Sequence, residues 1–471
     1  MSRAAEPPVK PEATIDLYEI QRTIHPRAVH GWFANWRVAL VVLTQLVFYG
    51  TLWLDWHGRQ AVLFDLVSRK FYIFGLVFWP QDFIFLTMLL VISALALFLF
   101  TAVAGRLWCG YACPQTVYTE LFLWIERRIE GDRMARMKLD AQPLNGRKFA
   151  LKGAKHGAWI ALSLWTGFTF VGYFSPVREL LTEAVHVHLG PWETFWVFFY
   201  GFATYGNAGW MREQVCKYMC PYARFQSVMF DRDTLIITYD AKRGEPRGSR
   251  RRNVESRGAG LGDCVDCGIC VQVCPTGIDI RHGLQYECIG CAACIDGCNQ
   301  VMDKMGYARG LIRYTTDNAV NGVYADQQIF SHVFRLRTLI YSAILLAVVG
   351  AFITLLYLRV PLKVDVIRDR ATLVRENADG RLENVYRLQL MNTSEITRSL
   401  MITVSGIDGM EVIVKQPVEV PVASTTTLPV TRRVDPARTT PGSHPVRFTI
   451  QDANDASVKT VEKSMFYVRQ P

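Results

Sequence analysis

Long apolar runs restrict this chain more than any other feature. Residues 38–56, 83–104, 157–174 and 338–358 each approach the ~20 apolar residues that a bilayer crossing needs. A fifth run, 192–210 (WETFWVFFYGFATYGNAGW), is aromatic rather than aliphatic. Inside lipid every backbone N–H and C=O needs an internal partner, so such runs fold as helices. The expected fold class is an α-helical integral membrane protein of about five spans.

Charge sets the expected orientation. The loop after the second run carries Arg106, Arg127, Arg128, Arg133, Arg136, Lys138, Arg147, Lys148, Lys152 and Lys155, whereas 175–191 carries only Arg178. Positively charged loops stay in the cytoplasm, which predicts N-terminus in and C-terminus out. Trp32, Trp36, Trp53, Trp56, Trp79 and Trp192 flank the runs as an interfacial belt would. Residues 60–80 contain Asp65, Arg69 and Lys70 and read as a packed loop on the outer face, not a sixth span. The polar segment 1–37 lacks the short apolar core of a signal peptide and is expected to be cytoplasmic. These loops account for the formal net charge of +10, and no nucleic-acid-reading motif accompanies it. Membrane lipid is the expected partner of this surface; nucleic acid is excluded.

All 12 cysteines fall into tight groups, and none lies beyond Cys298. Disulfide frameworks scatter cysteines, whereas short fixed gaps point to metal ligation. The region 38–210 is expected to hold four helices and a repeat: WCGYACPQ at 108–115 and VCKYMCPY at 215–222 each follow a helix hairpin and read Cys-x-Tyr-x-Cys-Pro. Sites in membrane proteins often form between such repeats. Residues 211–337 form the expected cytoplasmic region, with a basic, Gly-rich linker at 240–262 and a ferredoxin-like domain at 263–310. After the span 338–358, residues 359–471 alternate apolar and polar positions between turn residues. About seven short strands predict an immunoglobulin-like β-sandwich on the periplasmic side. It has no cysteine, so docking is its expected role.

The runs CVDCGICVQVCP (264–275) and CIGCAACIDGCN (288–299) share Cys-x2-Cys-x2-Cys-x3-Cys spacing. That is the pattern of two-cluster ferredoxins, in which the fourth cysteine of each run ligates the other cluster. The expected sets are Cys264, Cys267, Cys270 with Cys298, and Cys288, Cys291, Cys294 with Cys274. Each would hold a 4Fe–4S cluster; zinc is the weaker alternative. Asn299 replaces the second run's proline and removes no ligand.

The Cys-x3-Cys-Pro pairs are less specific. On a helix their spacing sets both thiols on one face, and a following proline bends or ends that helix. Buried inert thiols and a dithiol–disulfide pair are two readings. The favoured third is a soft-metal site of Cys109, Cys113, Cys216 and Cys220, since thiolates select Cu(I), zinc or iron–sulfur species. Met211 and Met219 lie close by and read more simply as packing. His186 and His188, with His57, stand on the outer face and read as polar loop residues before they read as a metal site. His30 and His156 form no pair suited to haem.

At these residues the chain resembles the CcoG (FixG/RdxA) family of cytochrome c oxidase accessory proteins over almost its whole length. IHPRAVHG, GRQAVLFDL, FYIFGLVFWPQDF, GRLWCGYACPQTV, PWETFWVFFYGFATYGNAGW, EQVCKYMCPYARFQSVMFD and RGEPRG carry the resemblance, with the two ferredoxin runs and the C-terminal sandwich. It implies a bacterial inner-membrane protein that reduces Cu(II) to Cu(I) for assembly of a cbb3-type oxidase. Its implied partners are copper ions, copper chaperones or oxidase subunits, and a cytoplasmic or membrane electron donor. Copper is then expected at Cys109, Cys113, Cys216 and Cys220 as the catalytic site. The alternatives are a quinol-linked electron-transfer subunit and a non-catalytic assembly scaffold.

Overall fold

The computed structural model describes residues 24–250, 260–369, 374–436 and 439–469. Most of the N-terminal segment 1–37 and the middle of the linker 240–262 lie outside them.

Three helices among the described residues are long and apolar enough to cross a membrane: Trp32–Trp53, Pro80–Ala104 and Leu336–Tyr357. The other two expected spans look different. Residues 157–174 fall mostly on a longer helix, Gly146–Val171, whose first turns carry Arg147, Lys148, Lys152 and Lys155. Asn145 caps it by accepting from the Lys148 N–H at 2.7 Å. Residues 192–210 form the shorter helix Pro191–Thr204, which widens into a π-helical segment, Tyr205–Met211. The two pair closely, because a side chain at Gly167 would collide with the Val197 carbonyl. Small residues let membrane helices approach in this way.

The five helices alternate in direction between two ends of the molecule. At one end Leu235 N–H donates to Val103 O (3.0 Å) and Arg335 donates to Ala102 O (3.1 Å). At the other, Gln60 donates to Gly172 O (2.8 Å) and Arg359 meets Asp82 at 2.7 Å. The cysteine-rich domain sits at the first end and the sandwich at the second.

The flanks of the linker are packed rather than loose. Gly248 N–H donates to Cys264 O at 3.2 Å, and Arg243 pairs with Asp263 at 2.6 Å. Residues 60–80 are packed too, but as strands: Val62–Asp65, Lys70–Ile73 and Leu76–Phe78 form an antiparallel sheet. Their short apolar stretches, interrupted by Asp65, Arg69 and Lys70, hid the alternation that marks a half-exposed sheet. This sheet seats the sandwich. Val77 and Trp79 pack on Met391, and Lys70 Nζ donates to Ala423 O at 2.8 Å. Glu395 accepts from Trp56 (3.1 Å) and Arg59 (2.7 Å) and bonds His57 (2.7 Å).

The sandwich has two antiparallel sheets. One orders Glu411–Ile413, Thr425–Val434, Leu382–Asn392 and Leu362–Arg368, with Arg375–Glu376 on the third; the other orders Val418–Val420, Arg398–Ser405, Gly442–Asp452 and Lys459–Val468. Inward positions such as Leu388, Leu390, Val430, Phe448 and Phe466 fill the core.

Asp82, buried at the head of the helix Phe83–Ala104, pairs with Arg359 and Lys363 and so ties two spans to the first sandwich strand. Breaking a buried ion pair from one side costs about 3–5 kcal/mol. Asp82→Ala is therefore expected to loosen the sandwich. Limited proteolysis in nanodiscs should release the C-terminal domain faster than from wild type, and equal resistance would refute the tie.

Candidate iron–sulfur and four-thiol site

The two ferredoxin runs bring their cysteines to two small cavities. Cys264, Cys267, Cys270 and Cys298 wall one small cavity, and Cys274, Cys288, Cys291 and Cys294 wall a second, which Cys270 also borders. The turns that reverse each run use positive φ at Gly268 (63°) and Ala292 (59°). Gly268 precedes the short helix Ile269–Gln272, and Ala292 precedes Ala293–Met305. Burial pushes these thiols up, Cys270 and Cys291 to about 11 and Cys288 and Cys298 to about 12, with neighbouring thiols adding to the rise on Cys288 and Cys298. Thiols gathered around one cavity, most of them buried or half-buried, are disfavoured as free thiolates and are matched to a cationic iron–sulfur core. The donor sets thus fit two 4Fe–4S clusters, which supply one-electron transfer when bound. Only Cys267 of the twelve is exposed.

The Cys-x3-Cys-Pro pairs come together as a third set. Cys216 feels Cys113, Cys109 and Cys220, and burial with these neighbours raises it to about 12. Burial and Cys113 raise Cys109 to about 11. All twelve cysteines are unbridged. The local structure departs from the expected single helix face. Cys109 lies on the short helix Leu107–Tyr111 and Cys216 on the π-helical turn Val215–Met219, while Cys113 and Cys220 stand just beyond. Each proline opens the next helix, Pro114–Glu130 or Pro221–Met229, instead of ending one. Proline lacks the N–H that the first helical position leaves unpaired. Cys113 and Cys220 are therefore N-caps; burial raises Cys113 overall, and the Gln115 and Thr116 N–H groups of the helix start oppose that rise.

The third set abuts the second. Cys109 and Cys216 pack on the cluster formed by Val273, Ile289, Cys291 and Ala293. Gly110 faces Gly290 so closely that a Cβ would sit 2.8 Å from its carbonyl carbon. Arg106 donates to the carbonyls of Tyr286 and Cys288, and Arg37 donates to Cys291 O at 3.3 Å. Tyr314 OH donates to Gly290 O at 2.5 Å. Asp296, between Cys294 and Cys298, accepts from the N–H groups of Phe33 (3.4 Å) and Ala34 (2.7 Å) and so caps the first apolar helix. Sequence reasoning missed Arg37, Arg106, Gly110 and Asp296; a glycine in one copy of the repeat against Lys217 in the other was the one available signal.

The histidines play other parts. His57 is held by Glu395, and His186 Nδ1 bonds Thr182 O at 2.7 Å in its own helix. Among the described residues no three His, Cys, Asp or Glu side chains form a cage for a single metal ion. Met219 is exposed.

Residues 211–317 match a 4Fe-4S dicluster domain, 86–131 a 4Fe-4S binding domain, and 352–469 the Ig-like fold at the C-terminus of FixG. The nitrogen fixation protein FixG of Rhizobium meliloti is 40% identical over 83% of this chain and 80% of its own. Protein RdxA of Cereibacter sphaeroides is 40% identical over 87% of this chain and 88% of its own. The ferredoxin-type protein NapH of Haemophilus influenzae is 24% identical over 46% of this chain and 68% of its own. Eight cysteines in two ferredoxin sets, apolar helices of membrane length and a FixG-type sandwich in one chain have one common assignment: it belongs to the FixG/RdxA family of membrane-associated iron–sulfur electron-transfer proteins.

Proposed function

We propose that the protein is an inner-membrane cupric reductase with five crossings, its ferredoxin domain cytoplasmic and its sandwich periplasmic. It converts Cu(II) to Cu(I) for assembly of a cbb3-type oxidase, and the sandwich docks oxidase subunits or copper chaperones. The observation that carries this reading is the contact of Cys109 and Cys216 with the loop holding Cys291. In this reading Cys109, Cys113, Cys216 and Cys220 bind the copper substrate. Soft thiolates hold Cu(I) better than Cu(II) and so favour the reduced product. Arg37 and Arg106 fix the loop beside them through its carbonyls. The eight ferredoxin cysteines hold the two clusters in the sets described.

The test is anaerobic. Protein reduced with dithionite and then desalted is mixed with Cu(II) and a Cu(I)-specific chromogenic chelator. Cu(I) should form as the iron–sulfur absorbance returns to its oxidised level. Reoxidation without Cu(I), or no reoxidation, would refute copper as substrate.

A second reading takes the four thiols as ligands of a third 4Fe–4S cluster. The 4Fe-4S binding domain match over 86–131, which contains Cys109 and Cys113, favours it. So does the lack of a single-ion cage among the described thiols.

A further inference from the structure

One cavity close to the thiols belongs to none of these sets. Of about 330 Å³, it lies at the cysteine end of the helix pair, walled by His25, His156, Trp159, Trp210, Arg212 and Glu213 among others. Arg212 and Glu213 also wall a crevice that reaches Cys216. Most charges around the cavity are paired with one another: Glu126 with Arg212 (3.1 Å) and Arg136 (3.2 Å), Asp140 with Lys152 (2.7 Å) and His25 Nε2 (3.3 Å), and Glu130 with Lys155 (3.0 Å), while the Glu213 carboxylate makes no ion pair among the described residues. No surplus of one sign remains to select a free ion. What the walls add is flat rings, an imidazole and the Glu213 carboxylate. His156 stacks on Trp210 (centroids 5.8 Å apart, 23° between planes), and Trp159 stands edge-on to it at 5.2 Å. Tyr205 OH holds His156 Nδ1 at 2.9 Å and leaves Nε2 for a ligand. His25 Nε2 meets Asp140 at 3.3 Å, and its Nδ1 is shut off from the cavity. From the cavity an exposed aromatic ridge of Phe202, Phe199 and Phe195 continues along the helix Pro191–Thr204.

We propose that this cavity binds the head group of a membrane hydroquinone. Its ring stacks on Trp210 and His156, one hydroxyl bonds His156 Nε2 and the other faces the Glu213 carboxylate, and its apolar tail follows the aromatic ridge into lipid. Oxidation to the quinone releases two protons and two electrons. His156 and the Glu213 carboxylate accept the protons, and two oxidised 4Fe–4S clusters, at one electron each, are the oxidant. The proposal rests on the electron-transfer assignment and is independent of copper.

The full-length protein in detergent is titrated with 2-heptyl-4-hydroxyquinoline N-oxide, a fluorescent hydroquinone mimic. Saturable one-site quenching is expected. It should weaken by about tenfold or more, roughly one hydrogen bond or ring contact, in Trp210→Ala and His156→Leu. Trp192→Ala, an exposed aromatic at the opposite end of the same helix, should bind as wild type does. Anaerobic menadiol should bleach the clusters of wild type and of Trp192→Ala but not of the two cavity variants, whose clusters dithionite still bleaches. Non-saturable binding, equal binding by all variants, or equal bleaching by menadiol would overturn the proposal. Trp210 is two-thirds exposed, so its variant tests the site without a folding defect. Copper reduction by dithionite-charged protein that binds no quinone mimic would refute this site and leave the copper reading standing.

Discussion

Serine at Cys109, Cys113, Cys216 and Cys220 together should lower Cu(II) reduction by about 100-fold or more while the protein stays folded. Loss of even one supporting contact at a metal site costs 10–100-fold, and here four soft donors become poor ligands for Cu(I). Iron content separates the two readings of the site. If the thiols hold copper, wild type and variant both carry about eight irons per chain, two cubanes' worth. If they hold a third cubane, wild type carries about twelve and the variant about eight. A variant that reduces copper at the wild-type rate with unchanged iron would remove these thiols from the reaction altogether.

The second large effect is expected at Gly110. Valine there must push against the backbone of Gly290 and the Cα of Cys291, neither of which can swing away as a side chain could. Overpacking of this kind costs about 1–3 kcal/mol, and it falls on the loop that carries three cysteines of the second set. The expected result is a selective loss of roughly half the cluster iron, with the first set intact, since that set is built around Cys264, Cys267, Cys270 and Cys298 on the far side. Lys217→Val, the equivalent position of the other repeat, should keep its full iron. Iron and sulfide assays with electron paramagnetic resonance of the reduced protein read both outcomes. Full iron in Gly110→Val would mean that the contact of the two motifs is not what holds the loop.

Local chemistry was legible in the sequence, and contacts between distant segments were not. Spacing alone assigned the eight cysteines to their two sets, because a tight loop can offer only three thiols to one cubane. It also matched the two Cys-x3-Cys-Pro copies to each other, but not to the loop at Gly290, since nothing local in either segment encodes that meeting. The prolines misled for a related reason. Read within one helix they are terminators; next to a second helix they are starts. Residues 60–80 were read as a packed segment, yet their strands stayed hidden because short apolar stretches interrupted by Asp65, Arg69 and Lys70 blur the alternation that marks a half-exposed sheet. Asp296 could have been read only as a ferredoxin-loop acid, and its role as the cap of Trp32–Gly50 depends on Gly31 allowing it to approach.

That cap bears on the order of biogenesis. Asp296 sits within the second cysteine run and holds the start of the first apolar helix, while Gly110 and Arg106 cover the same run from another side. Once the domain is docked, the second set is covered on two sides and less open than the first, where Cys267 still faces solvent. Maturation would then proceed from the inside outward. The inner cubane is inserted while residues 263–310 are still apart from the bundle, docking covers it, and the outer cubane stays the more open to repair after oxidative damage.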